Sequence, residues 1–321
     1  MFTDVCSGVQ RLLQVSLQER LGSGAYGVCY AVVEPQTGLK WCAKFARPRA
    51  TTTSPGELES IRGHLRQELA AMSRMDHPSV VRALGLSLGI DGKVTALLMP
   101  MQDSNLKSWI EQQEPASLAS MVVEQPLRWS QRACFIQVLS GLAHVHARGV
   151  VHLDMKPENI LVRGKLFAIG DFGVCRATGR AEGIPYGTGP SKEVNTPTYR
   201  PLDLFVMDWR SVQPSPRHDL WAWGCIAFEA TAWMNPTWRR PGSMRRLFGE
   251  ISMTPQATAE QWRNDRIKRY SPRALAPILL ASMPKTKYTR ASELIMQVEA
   301  LAVLPESGAD VPQAASAEAE R

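Results

Sequence analysis

The chain has no run of apolar residues approaching the roughly 20 that a helix needs to cross a bilayer, so no membrane span is expected. Its opening residues, MFTDVCSGVQRLLQ, carry an early aspartate and lack the basic-then-apolar layout of a secretory signal. Cysteine is sparse. Cys6, Cys29, Cys42, Cys134, Cys175 and Cys225 are scattered without a C-x-x-C pair. That argues against a structural zinc site and points to a reduced, intracellular protein, cytoplasmic with the nucleus left open. There is no internal repeat and no strong charge bias. A net charge of +7 is too small for a nucleic-acid signature, and no nucleic-acid partner is expected. The densest basic stretch, WRRPGSMRRLF at 238–248, reads as a solvated face, with an acidic docking partner as the sharper alternative.

What is present is an ordinary globular composition, 44% hydrophobic and 21% charged, in a chain long enough for one large domain or two lobes sharing a cleft. The first third is strand-prone. Residues 28–46 hold two β-prone runs around Pro-Gln-Thr-Gly, a hairpin signal. Residues 47–60, with prolines and a threonine run, read as a connector. Residues 61–75 place Ile61, Leu65, Leu69, Met72 and Met75 at helical spacing. The run VTALLMPM reads as a buried strand ending at Pro100. Beyond about residue 103 the pattern turns helical. Residues 131–149 carry an apolar face and stop at Gly149, and DLWAWGCIAFEATAW is apolar nearly all round, as a helix buried within a lobe would be. A β-rich piece followed by a helical one predicts an α+β, bilobal fold with a cleft between the lobes.

Three clusters carry chemistry. In LGSGAYGVCY, Gly22, Gly24 and Gly27 with Val28 behind them let backbone N–H groups approach phosphate oxygens. The turn leads into a second strand rather than a helix, which disfavours a dinucleotide fold. In WCAKFA, Lys44 lies in a β-prone run. A single lysine there is commonly a snorkelling side chain. Glu68, however, shares a helix face with Leu65, Leu69 and Met72, and a carboxylate on an apolar face needs a partner. Lys44 is the natural one. In VVHLDMKPENIL, Asp154, Lys156 and Asn159 interrupt an apolar stretch, and Asp171-Phe172-Gly173 follows. Two carboxylates and an amide are hard oxygen ligands suited to magnesium bound with phosphates, with one carboxylate left to orient a hydroxyl. Each alone could be a satisfied loop residue or helix cap; the set in this order points to phosphoryl transfer.

The set resembles the eukaryotic protein kinase family. G-x-G-x-x-G is matched by Gly22 to Gly27 with Val28 behind it, the lysine of V-A-I-K by Lys44, and the family's helix glutamate by Glu68 ahead of His77-Pro78. H-R-D-x-K-x-x-N is matched with one change by His152 to Asn159, and D-F-G at 171–173. NTPTYRPLD at 195–203, DLWAWG at 219–224 and TRASEL near Arg290 resemble the later motifs. The resemblance implies a kinase domain over 15–303, with an N-lobe of about 15–100 and a C-lobe of about 103–303. Residues 1–14 would be an extension and 304–321 a disordered tail. It implies ATP and Mg²⁺ as cofactors and protein serine or threonine hydroxyls as acceptors. Leu21, Gly22, Gly24, Gly27, Val28, Ala43, Lys44, Glu68, Met101 and Leu161 would bind ATP, with Tyr26 at the loop tip. Asn159 and Asp171 would hold the metal. Asp154 would take or orient the acceptor's proton, and Lys156 would neutralise the transferring group. The serine/threonine type is implied by Lys156 and Thr196, and Met99 or Leu98 would stand before a hinge at Pro100 to Gln102.

Departures from the family pattern are informative. Leu153 replaces an arginine that elsewhere pairs with an activation-segment phosphate. Pro201-Leu202-Asp203 replaces A-P-E, so a pairing of Asp203 with Arg290 would be altered. Asn105 stands where an acidic residue commonly meets the ribose, with Asp103 as a substitute. Thr178, Tyr186, Thr188 and Ser191 read as solvated loop residues, and Cys175 as an inert thiol. His144 and His146 read as structural. Glu158 and Glu229 resemble positions that accept a substrate arginine, implying a mild basic preference. Two other functions stay open. One is a pseudokinase binding nucleotide as a scaffold; the other is a small-molecule phosphotransferase sharing the fold.

Overall fold

The computed structural model describes residues 2–4, 12–24, 27–46, 55–88, 92, 94–113, 127–179, 184, 196–201, 213–232, 256–282 and 290–304. In chain order, strands β1 (Phe2–Asp4), β2 (Leu12–Leu13), β3 (Ser16–Gly24), β4 (Gly27–Val33) and β5 (Lys40–Phe45) precede helix α1 (Pro55–Met72). Strands β6 (Gly85–Leu88), β7 (Val94–Pro100) and β8 (Ser104–Asn105) lead to α2 (Leu106–Gln112), then β9 (Leu127–Arg128) to α3 (Trp129–Ala147). Next come β10 (Val150–Val151), β11 (Ile160–Arg163), β12 (Leu166–Ile169) and β13 (Arg176–Ala177). Helices α4 (Pro216–Ala232), α5 (Gln256–Tyr270), α6 (Ala276–Ser282) and α7 (Ala291–Glu299) and strand β14 (Val303–Leu304) complete the described chain.

The first lobe is one antiparallel sheet in the order β2-β1-β6-β7-β5-β4-β3. Period-2 alternation divides its side chains between two faces. Ala43, Ala96 and Leu98 pack with Val32 and Phe2 on one, and Leu65 of α1 packs with Val94 and Leu97 on the other. The N-terminal residues expected as an extension thus supply strands, with Phe2 buried. Helix α1 starts at Pro55, six residues before the periodic stretch that announced it. A proline at the first helical position lacks only an N–H that would be unpaired anyway, so PGELES joins the helix instead of the connector.

β7 ends at Pro100 and the chain crosses into the helical lobe. The core there gathers around α3 and α4, with Phe135 against Trp223 edge to face at 6.2 Å. Every α4 residue from His218 to Ala232 is buried, which explains why its sequence shows no polar face. α3 ends two residues before Gly149, whose φ of 69° a side chain would disfavour. Near its middle, Gly141 lets the helix approach the Val80–Ile169 bridge, since a Cβ there would lie 2.6 Å from the Ser79 carbonyl oxygen. β8, β11 and β12 form a small sheet under the cleft. The architecture is α+β and bilobal. Among the described residues no helix is long and apolar enough to cross a membrane. Tyr26, Tyr186, Thr188, Ser191, Asp203, the 238–248 basic stretch and the 305–321 tail lie outside the described residues.

Candidate active site

Two polar clusters face one another across the cleft, one hung from the sheet and one built on the loop after β10. In the first, Lys44 Nζ donates to Glu68 Oε2 at 2.7 Å and to Asp171 Oδ1 at 2.8 Å. Glu68 is 1% exposed, and without the ammonium its charge would be stranded among apolar groups. Burial works against the Lys44 charge, but the carboxylates of Asp171 and Glu68 more than reverse that and hold its pKa above the ordinary value. For Asp171 burial pushes upward, while the Lys44 charge and hydrogen bond win and bring its carboxyl to about 2. Its side chain keeps 38% exposure to the cleft, so water screens part of this effect. α1 also touches the segment after Asp171: His64 Nδ1 lies 2.7 Å from the Gly173 carbonyl oxygen, and Gln67 Nε2 donates to that of Cys175 at 2.6 Å.

In the second cluster Asp154 is the hub. Its Oδ2 accepts from Lys156 Nζ at 2.6 Å, and its Oδ1 accepts from both the amide and the hydroxyl of Thr196 at 3.2 Å. Asn159 Nδ2 donates to the Asp154 carbonyl at 2.8 Å, tying the short 3₁₀ turn at Pro157–Asn159 back onto the loop. Beneath this, buried Asp219 of α4 accepts from the amides of His152 and Leu153 and from His146 Nε2, each at 2.8 Å. Burial would raise its pKa; these donors lower it below the ordinary carboxylate value. His152 Nδ1 accepts from the Asp154 amide at 3.2 Å, which puts the ring proton on Nε2, and Nε2 donates to the Gly170 carbonyl at 2.9 Å. Both nitrogens are used in holding the loop, so His152 is a structural group. Leu153 has φ 65°, and its side chain packs with Val151 and Val174.

Leu21, Gly22, Gly27, Lys44, Glu68, Asp154, Lys156, Asn159, Leu161 and Asp171 line a single cavity of about 590 Å³ between the lobes. Gly24 pairs with Gly27 at the β3–β4 turn above it. Four expected residues, Gly24, Val28, Ala43 and Met101, are absent from this lining. Val28 and Ala43 are buried, and strand alternation turns them away from it. Their neighbours Cys29 and Cys42 line the cleft instead, on the same sheet face as Lys44. Counting in twos back from Lys44, or on from Gly27, would have found them. Met101, between Pro100 and Gln102, is likewise not in the lining although both of those neighbours are. Met99 faces the cavity and Leu98 the opposite core, which settles the register left open at the hinge.

Several further residues are already committed. Asn105 caps α2 through Ser108 N at 3.0 Å, and Asp103 accepts from Gly164 N at 2.7 Å, although both line the cleft. Glu229 is buried, with Oε1 accepting from Lys107 Nζ at 2.7 Å and Oε2 from Tyr199 OH at 2.6 Å. A lysine of the chain itself therefore occupies the carboxylate expected to accept a substrate arginine, leaving Glu158 alone to carry the expected basic preference. Thr196, bound to Asp154, stood out in the sequence only as a residue type and not as a contact. Cys175 is buried and its thiol is pushed up to about 12 by burial, in keeping with an inert role.

Among the described residues no group of three or more His, Cys, Asp or Glu is placed to hold a metal ion alone. Asp171 and Asn159 could hold a magnesium ion whose remaining ligands are waters and phosphate oxygens, the usual arrangement for that cation. The cleft can thus accept a phosphorylated ligand, fix it with an ammonium, and present a carboxylate to an incoming hydroxyl. A sequence model described as "Protein kinase domain" matches residues 15–298. The chain is also similar to the smooth-muscle myosin light chain kinase of Gallus gallus, 25% identical over 229 residues. That match covers 69% of this chain and 10% of the relative, so the chain spans about a tenth of that protein's length.

Proposed function

The chain belongs to the protein kinase family, and from that premise we propose that it is an active serine/threonine kinase using Mg²⁺ and ATP. The observation that carries this is the survival of every polar group the transfer needs, converging on one cavity: Lys44 and Glu68 from the first lobe, Asp154, Lys156, Asn159, Asp171 and Thr196 from the second. Lys44, oriented by Glu68, binds the inner phosphates. Asp171 and Asn159 would hold magnesium, which would neutralise phosphate charge. Asp154 Oδ1, now occupied by Thr196, accepts a hydrogen bond from the acceptor hydroxyl and orients it in line. Lys156, 2.6 Å from Asp154, stands beside the path and stabilises charge on the transferring group. Catalysis is then positioning and electrostatics, as phosphoryl transfer allows. The resemblance of Lys156 and Thr196 to the serine/threonine pattern supports that acceptor class.

The test is magnesium-dependent transfer of labelled phosphate from ATP to a generic protein substrate. Asp154→Asn is expected to reduce transfer by about 10²-fold or more. ATP binding without transfer would establish the scaffold reading instead, and transfer only to a small metabolite would establish the small-molecule one. Leu153 bears on regulation. A buried leucine packed on Val151 and Val174 offers no cation to a phosphate, so activity does not depend on an activation-segment phosphate. Phosphatase-treated protein is expected to keep its rate; a rate lost on treatment and restored by phosphorylation within 174–195 would refute this.

A further inference from the structure

The proposed transfer leaves two cleft groups without a role, the thiols of Cys29 and Cys42. β4 and β5 run antiparallel with Cys29 opposite Lys44 and Cys42 opposite Ala31. The two cysteines are therefore diagonal neighbours on one face, about 7–8 Å apart at the backbone, so that joining them draws the two strands slightly together. Both line the cavity and both are partly exposed, whereas Cys134, Cys175 and Cys225 are buried. The neighbouring Cys42 thiol, helped by the Lys44 ammonium against the effect of burial, lowers the Cys29 pKa; Cys29 and burial raise that of Cys42. One sulfur is biased toward the nucleophilic thiolate, and its neighbour keeps a proton to give up later.

We propose that Cys29 and Cys42 form an oxidisable dithiol site in the roof of the cleft, which a peroxide converts to a disulfide. The Cys29 thiolate attacks one peroxide oxygen, the O–O bond breaks, and the departing hydroxide is protonated to water, leaving Cys29 as a sulfenic acid. The Cys42 sulfur then attacks the Cys29 sulfur. The S–O bond breaks, and hydroxide leaves as a second water with the Cys42 proton. Two thiols lose two electrons in all, and one peroxide is reduced to two waters. The site's relation to ligand rests on the nucleotide reading above: both sulfurs lie in the lining that a bound nucleotide would cover, so nucleotide and peroxide compete for the roof.

The experiment treats the reduced full chain with hydrogen peroxide, with and without Mg²⁺–ATP, and maps cysteine linkages by mass spectrometry of non-reduced digests. The expected product is a peptide pair joined through Cys29 and Cys42 and released by dithiothreitol, with Cys175 unchanged. In Cys42→Ala the pair is absent and dimedone traps Cys29 as its sulfenic acid. ATP at ten times its Kd is expected to slow joining about tenfold. Wild-type protein whose two thiols stay unmodified, or oxidise separately without a joined peptide, overturns the proposal. Equal joining rates in protein that demonstrably binds ATP overturn the competition. A joined peptide in protein that binds no ATP upholds the dithiol and overturns only the nucleotide reading.

Discussion

Leu153 holds a backbone conformation, φ 65°, that ordinarily costs an L-residue about 1–2 kcal/mol. It persists because its N–H is fixed by Asp219 and its side chain is 3% exposed against Val151 and Val174. Leu153→Ala should lose about 2–5 kcal/mol of stability through lost burial while keeping the strained φ. Leu153→Gly loses the same contacts but relieves the strain, so it should be at least as stable as the alanine variant. That reverses the usual penalty of about 0.5–1 kcal/mol for glycine, and urea unfolding of the two variants would show it. The polar groups of this loop stood out in the sequence because Asp154, Lys156 and Asn159 interrupt an apolar run, and the structure brings all three to one cavity. What was not legible was direction. Val28 and Ala43 are one residue from the cleft-facing Cys29 and Cys42, and a one-residue slip on a strand reverses the face. Nor does sequence spacing show that Lys107 reaches Glu229 or that Thr196 covers Asp154, since both contacts depend on how distant segments fold together.

Among the elements, α4 shapes the site from outside it, since none of its residues lines the cleft. Asp219 in its first turn gathers two backbone amides and His146. Removing that charge leaves buried donors poorly matched, and Asp219→Asn should cost about 3–5 kcal/mol near neutral pH. The sign of its pH dependence follows from the lowered pKa. A carboxyl depressed in the fold contributes fully above its unfolded value of 3.8, and the contribution fades as pH falls toward the folded value. The wild-type advantage over Asp219→Asn should therefore be level above about pH 5 and shrink below pH 4 in urea titrations. An advantage that grew in acid would contradict the assignment. The burial of α4 could be read from its apolar sequence. The start of α1 could not, because prolines and glycine in residues 47–60 signal a break whether or not the last of them opens a helix.

At the scale of the molecule, an ammonium reaches from one lobe to the other: Lys44 on the sheet meets Asp171, 127 residues away. Two ammonium groups (Lys44 and Lys156) against three carboxylates (Glu68, Asp154 and Asp171) leave a net charge of −1 among the groups that would face a polyphosphate. A nucleotide should accordingly need its cation. Mg²⁺–ATP at 100 times its Kd should stabilise the protein by about 2.7 kcal/mol, a rise on the order of 5 °C in Tm. EDTA or Lys44→Met should abolish the rise in a thermal-unfolding scan; a shift that survives both would show binding elsewhere. The contacts of α1 have a mechanical consequence as well. His64, Gln67 and Glu68 occupy barely more than one turn of helix, yet they grip Gly173, Cys175 and Lys44 respectively. The helix is thus pinned at three points, and a swing away from the sheet would have to break these hydrogen bonds or carry the 171–175 segment with it.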